Sequence, residues 1–249
     1  MNPVPFLLAS LLAAAQPQPF AKAQQDALLD FRYGWPAVVE EEPALRDRFS
    51  REMQAAEAQA RREAQEDQAA RQGSDAPFHN HVYSREWESA GSTAQLLSLT
   101  ARTETYTGGA HGNLGLAALL WDRSADREAD TADLLGPAAL QALAPRYCAR
   151  LNAMRSERRG EPVRSGGGEP FTDCPPLPGH PLAPADKDGN GRFETLRILI
   201  GPYEAGPWVE GAYIVELPLE PGDLAALPEA FRPAFEVGAA PALEAGERG

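Results

Sequence analysis

The sequence predicts an α+β fold, an antiparallel sheet meander with a long N-terminal helix and a mid-chain helix packed on it. Three patterns predict it. Apolar and polar residues alternate with period two in several short runs, which suits half-buried strands. Two longer stretches, each opened by a proline, carry apolar residues at helical spacing. Gly and Pro then punctuate the boundaries.

In chain order, Leu28–Val39 holds Phe31, Tyr33, Trp35 and Val38 and reads as a first strand interrupted by Pro36. A proline there places it at a sheet edge or a bulge. Pro43 opens the first helix, because Leu45, Phe49, Met53, Ala56, Ala60 and Ala64 fall on one stripe. Its remaining face mixes Arg and Glu, as a solvated face does, and the stripe never settles into the a and d positions of a coiled coil. Strands follow. His81, Tyr83, Arg85 and Trp87 alternate with Val82, Ser84 and Glu86, and Leu97, Leu99 and Ala101 continue the pattern. Gly108-Gly109 supplies a turn and Leu114–Trp121 the returning strand.

Pro137 starts the second helix, which runs to about Met154 with Leu140, Leu143, Tyr147 and Leu151 on one side. Between Gly160 and Gly191 there are seven Pro and seven Gly, so this stretch reads as an extended loop. Phe193–Ile200 and Ala212–Leu219 read as strands, and Leu224–Phe235 as a short closing helix. The organisation expected is a leader over 1–23, subregions over 24–125 and 126–237, and a disordered Ala/Gly/Glu-rich tail over 238–249.

The leader sets the compartment. Val4–Ala15 is an apolar run broken only by Pro5 and Ser10, with small-residue cleavage positions at Ala15 and Ala23. It reads as a signal peptide and is too short to cross a hydrocarbon core, which needs roughly 20 residues. The expected location is periplasmic or secreted, with no transmembrane span. Cys148 and Cys174 are the two cysteines, and in that setting they are expected to form a disulfide. Closing a loop of 174 minus 148, or 26, residues stabilises a fold by roughly 3.5 kcal/mol in the chain-entropy model. The net charge of -13 argues against nucleic acid or anionic lipid as partner and favours a cationic one.

Two segments carry a family resemblance. One is Ser98-Leu99 followed by Tyr106-Thr107-Gly108-Gly109-Ala110-His111-Gly112-Asn113, and the other is Gly201-Pro202-Tyr203-Glu204-Ala205-Gly206-Pro207-Trp208-Val209-Glu210-Gly211. Together they resemble the extracytoplasmic domain of RsiV-like anti-sigma factors and the non-catalytic N-terminal domain of PdaC-like peptidoglycan deacetylases. The resemblance runs from about Leu28 to Phe235. It implies an exported α+β domain in a setting of cell-wall glycan and lysozyme, with binding rather than catalysis as its task. The sequence departs from the anti-sigma factors in having no cytoplasmic sigma-binding segment, and from the deacetylases in lacking their metal-ligand spacing. No catalytic residue carries over.

The candidate binding residues are Tyr106, Gly108, Gly109, His111, Tyr203 and Trp208, with Tyr213 as a further aromatic near the second segment. His111 either fixes the turn or contacts a ligand, and core packing competes with ligand stacking for the aromatics. The candidate metal residues are Asp186, Asp188, Asn190 and Glu194. They occupy positions 1, 3, 5 and 9 of a calcium-type loop with Gly191 at position 6, but position 12 is Arg197, so the loop is not an EF-hand. It holds Ca²⁺ or is a self-bonded Asx turn. His79, His81 and His111 form a less favoured metal set. From Phe193 to Gly249 the local charge is -7, which steers cationic proteins. The expected partner is a lysozyme-like cationic protein or peptidoglycan. A calcium-stabilised structural module and an envelope hydrolase using His111 are the alternatives.

Overall fold

The computed structural model describes residues 17–166 and 168–239. The apolar leader run therefore lies outside the described residues, as does nearly all of the expected tail. Gly238, the tail's first residue, donates its N–H to the Leu219 carbonyl.

Among the described residues nine strands form two sheets. The first has the order β1 (Phe20–Gln25), β2 (Leu29–Trp35), β3 (His81–Ser92), β4 (Leu96–Tyr106), β5 (Asn113–Asp122) and β6 (Arg127–Ala129). The second is β7 (Leu182–Ala185), β8 (Thr195–Ile200) and β9 (Tyr213–Pro218). From β3 to β6 the chain is the expected antiparallel meander. The expectation fails at β2, which runs parallel to β3. A parallel pair needs a crossover, and helix α1 (Pro43–Ala70) supplies it. Nor is β2 an edge strand. β1, whose polar sequence conceals it, pairs antiparallel with β2 and takes the edge, while Pro36 sits just beyond β2 and precedes a 3-10 turn.

Ala23 lies within β1, opposite Arg32. Cleavage after Ala23 would remove all of β1 but Gln24 and Gln25, including Phe20, whose ring stacks on Trp35 at 3.9 Å. The Ala15 position leaves β1 whole.

The first core forms where α1 crosses one face of the large sheet. Leu45, Phe49, Met53, Ala60 and Ala64 of the predicted stripe are buried, and Ala56 is half-buried. Phe49 meets the Trp87 ring at 4.7 Å and Trp35 at 6.0 Å, so large aromatics from β2 and β3 fill the space above Leu97 and Leu99. The stripe narrows to alanine toward the end of the helix, which lets the backbone approach the sheet closely.

Helix α2 (Thr131–Arg159) organises the second core. Asp130 caps it by accepting from the N–H groups of Ala132 and Asp133. Gly136 is non-helical, so the helix restarts at Pro137, the predicted origin, and extends past Met154 to Arg159. Leu140, Leu143, Tyr147 and Leu151 are buried against Ile198, Ile200, Tyr213 and Val215 of the small sheet. The closing helix is shorter than expected. α3 covers only Pro221–Ala226, and Arg232–Ala234 forms a separate 3-10 turn, because Pro228 and Pro233 interrupt the apolar run.

The two sheets meet at a seam of small residues. Ala90 of β3 and Ala118 of β5 pack against Ala183 and Ala185 of β7. The Asp186 N–H donates to the Ala90 carbonyl at 3.0 Å. Gly91 sits where the β3–β4 register shifts, and a Cβ there would lie 2.7 Å from the Asp186 backbone nitrogen and 2.9 Å from the Phe193 ring. Only glycine admits this approach.

Phe49→Ala should lower stability by about 3–5 kcal/mol, the usual cost of emptying a buried aromatic site. Urea denaturation followed by circular dichroism measures it, and a loss under 1 kcal/mol would show that α1 is not anchored through this ring.

Candidate binding site

The two sequence segments singled out above meet at one end of the molecule. The β4–β5 hairpin is long, and its tip turns on Gly108 (φ 95°) and Gly109 (φ 107°), a backbone region that favours glycine. Tyr106 donates its hydroxyl to the Gly109 carbonyl at 3.1 Å, closing the tip from the side. His111 follows, with Nδ1 at 2.7 Å from the Gly112 carbonyl, which makes that nitrogen the donor.

The second segment links β8 to β9. Tyr203 adopts φ 67°, a left-handed conformation unfavourable for a bulky residue, and its N–H donates to the Gly206 carbonyl. Trp208 then opens a 3-10 turn ending at Glu210. Helix α2 holds this loop from below. Arg159 pairs with Glu210 at 2.8 Å, Tyr213 donates its hydroxyl to the same carboxylate, and Arg158 donates to the carbonyls of Glu210 and Ala212.

Held in this way, Trp208 stacks on His111, with ring centroids 4.4 Å apart and planes 17° from parallel. The Tyr203 ring lies 5.9 Å from Trp208 and 6.4 Å from His111. Three rings from two distant parts of the chain thus form one platform. Its outer edge is solvent-facing, since Tyr203 is 55% exposed and the neighbouring Val209 89% exposed. Beside it runs a groove of about 370 Å³ between hairpin and loop, lined by Arg102, Glu104, Tyr106, Asn113, Pro202 and Trp208 among others. Ring faces next to amide, carboxylate and guanidinium groups can stack on a sugar or anchor a protein side chain.

The structure therefore brings Tyr106, Gly108, Gly109, His111, Tyr203 and Trp208 together. Tyr213 is excluded from the surface. It is fully buried, with Arg158 3.9 Å above its ring. Arg102 and Glu104 lie outside both sequence segments, because nothing in the sequence distinguishes a groove-lining charge from any other on a strand.

Electrostatics stiffen the loop. Burial opposes charge on Glu210, but the hydrogen bonds from Arg159 and Tyr213, with attraction from Arg159 and Arg158, outweigh it and hold the carboxyl below its ordinary value. Burial is the main influence on Tyr147, beneath the loop, and pushes its hydroxyl up to about 12.

The metal residues lie elsewhere, at the seam. Asp186, Asp188 and Glu194 place carboxylate oxygens within 4.8 Å of one another, and among the described residues this is the group able to hold a metal ion. The loop also bonds to itself. Asp186 accepts N–H groups from Gly189, Asn190 and Gly191, and Glu194 accepts from Lys187 and Thr195. Asn190 presents its amide nitrogen, not its oxygen, to Asp188 and Glu236. The histidines do not join this cluster: His79 is exposed, and His81 is buried beside Asp67 at 3.4 Å. Cys148 and Cys174 form the expected disulfide, with Cα atoms 5.6 Å apart. Among the described residues no helix is long and apolar enough to cross a membrane.

Residues 22–114 match the family model described as Deacetylase PdaC. This part of the chain is PdaC-like. The PdaC-like segment runs from β1 into β5 and contains the hairpin half of the platform, while the Trp208 half lies outside it. Two solved structures share the fold. A DUF3298 family protein from Pseudomonas aeruginosa PAO1 aligns with TM-score 0.52 and 16% identity, covering 84% of this chain and 90% of that one. A DUF3298 family member from Bacteroides fragilis NCTC 9343 gives 0.52 and 14%, covering 81% and 89%. No curated protein matches the sequence.

Because the folded pKa of Glu210 is depressed, its contribution to stability is complete above the ordinary value of 4.5 and is lost as pH falls through the lower folded value. Thermal melts should therefore show an acid-induced loss below about pH 4.5 that Glu210→Gln makes shallower. An identical pH profile for the variant would mean that the pair with Arg159 does not hold the loop.

Proposed function

We propose that this chain is an exported, non-catalytic binding protein of the cell envelope. On this reading the His111–Trp208–Tyr203 platform engages a cationic wall-lytic enzyme of the lysozyme kind or the peptidoglycan such an enzyme attacks. The observation that carries the reading is the stacking of His111 on Trp208 at 4.4 Å, which turns two separate loops into one preformed aromatic surface beside a polar groove. Preformed contact area costs little ordering on binding. The charge of -13 would speed encounter with a cationic protein but would not by itself supply affinity. Export agrees with the Cys148–Cys174 disulfide, and signal cleavage at Ala15 would leave β1 intact.

Calorimetric titration of the chain beginning at residue 16 with lysozyme, and separately with soluble peptidoglycan fragments, tests this reading at low salt. Binding to one of them, weakened at least about tenfold by Trp208→Ala, is expected for a central aromatic anchor. Absence of binding to both ends it. If lysozyme is the ligand, raising the salt should slow association, whereas glycan binding should be nearly salt-independent.

The convergence of Asp186, Asp188 and Glu194 favours a second reading, in which Ca²⁺ stabilises the seam. The three carboxylates would supply part of an oxygen shell, with water completing it. A cation that binds only the folded state raises the melting temperature. Scanning calorimetry should show a higher melting temperature in millimolar calcium than in EDTA, with the difference abolished by Asp188→Asn. Equal melting temperatures in the two buffers would dispose of the calcium role.

A further inference from the structure

Beneath the platform lies a side chain that its binding role does not require. Arg155 of α2 is completely buried, and none of its guanidinium hydrogen bonds goes to a carboxylate. Nε donates to the Ala205 carbonyl at 2.8 Å, Nη1 to the Thr172 carbonyl at 3.2 Å and to Asn152 Oδ1 at 3.0 Å, and Nη2 to the Asp173 carbonyl at 3.0 Å. Burial, reinforced by the neighbouring Arg159, pulls its pKa down. A buried cation held by neutral carbonyls depends on every one of them staying in place.

Those carbonyls belong to two different loops. Ala205 lies between Tyr203 and Trp208, in the platform loop. Thr172 and Asp173 immediately precede Cys174, in the Pro/Gly-rich loop, and the Cys148–Cys174 bond is what ties that residue back to α2. Asn152, one turn before Arg155, touches both ends of this arrangement. Its Oδ1 accepts from Arg155 and lies 3.9 Å from the Cys174 sulfur, and its Nδ2 lies 3.8 Å from the Cys148 sulfur. Arg159, one turn further on, repeats the bridge by reaching the carbonyls of Phe171 and Ala205 as well as Glu210. A second link joins the loops through His180, whose Nδ1 lies 2.9 Å from Glu204. Both cysteines are only half-buried, so an external thiol can reach them.

We propose that the Cys148–Cys174 disulfide controls the aromatic platform through Arg155, so that the thiol redox state sets whether the platform is assembled. The control rests on the platform being the binding surface, although the coupling itself does not. The reductant is a dithiol. One of its thiolates attacks a cysteine sulfur, the S–S bond breaks, and the other cysteine leaves as a thiolate and takes up a proton. The second thiol of the reagent then displaces the first cysteine. The protein gains two electrons and two protons, and the reagent leaves as a cyclic disulfide. With Cys174 released, Thr172 and Asp173 lose their tether, and Arg155 loses two of its buried acceptors. The guanidinium must then find water, which loosens its hold on Ala205 and on the loop that presents Trp208.

Hydrogen exchange followed by mass spectrometry, on the chain beginning at residue 16 with and without dithiothreitol, tests the coupling without any ligand. Reduction should raise exchange across residues 171–174 and 201–211 at least tenfold while β3–β5 remain protected. In the oxidised protein, Arg155→Lys, which keeps the charge but cannot span four acceptors, should raise exchange in the same two segments. Reduction that leaves 201–211 unchanged overturns the proposal, and so does a general loss of protection that includes β3–β5, because the bond would then be a staple of the whole fold. An unchanged 201–211 segment in folded Arg155→Lys overturns the relay through Arg155. A chain that shows the coupling yet binds neither lysozyme nor peptidoglycan fragments refutes the ligand reading alone.

Discussion

The close contact between the two sheets is the constraint on which the rest of the structure depends. β7 can lie against β3, β4 and β5 only because the facing residues are Ala90, Ala118, Ala183 and Ala185, and because Gly91 has no side chain where the Asp186 backbone arrives. Larger residues would hold the sheets apart by the thickness of a side chain. Since β8 and β9 are registered to β7, that distance also determines where the Trp208 loop stands relative to the β4–β5 hairpin. Stacking of His111 on Trp208 is thus a consequence of a seam built from alanine and glycine.

Each sheet is secured by its own helix, through different chemistry. On the large sheet, α1 works by apolar burial, with Phe49 wedged among Trp35 and Trp87. On the small sheet, α2 buries leucines in its first part and presents arginines in its last turns. Arg155, Arg158 and Arg159 all reach backbone carbonyls of the loops between the strands, which make no sheet pairing of their own. Backbone carbonyls in irregular segments need donors when they are buried, and a guanidinium offers several in one plane. That substitution of side chain for sheet partner is how the fold keeps long Pro/Gly-rich segments in place.

Much of the architecture was legible in local pattern. The α1 stripe from Leu45 to Ala64, the alternation in β3 and β4, and the proline at the start of the main part of α2 each express a single period over many residues. Elements without such a period were missed. β1 reads Phe-Ala-Lys-Ala-Gln-Gln and becomes a strand because β2 offers it an edge. The parallel β2–β3 pairing was hidden because two strands separated by a helix look the same in sequence whichever way they run. In the site, the glycines of the hairpin tip and the aromatics of the second loop stood out by residue type. Tyr213 has the same type and a neighbouring position, but strand alternation turns it into the core.

The amino-acid sequence by itself determined the local periods, the turn glycines, the acidic charge and the availability of two cysteines, because these depend on residue identity and on neighbours a few positions apart. Only the tertiary structure decided that Tyr106, His111, Tyr203 and Trp208 share a surface, that Arg155 joins the disulfide loop to it, and that the carboxylates of Asp186, Asp188 and Glu194 converge. Those relations connect residues up to about a hundred positions apart, and no short-range preference encodes a distance that is settled by how closely two sheets can approach.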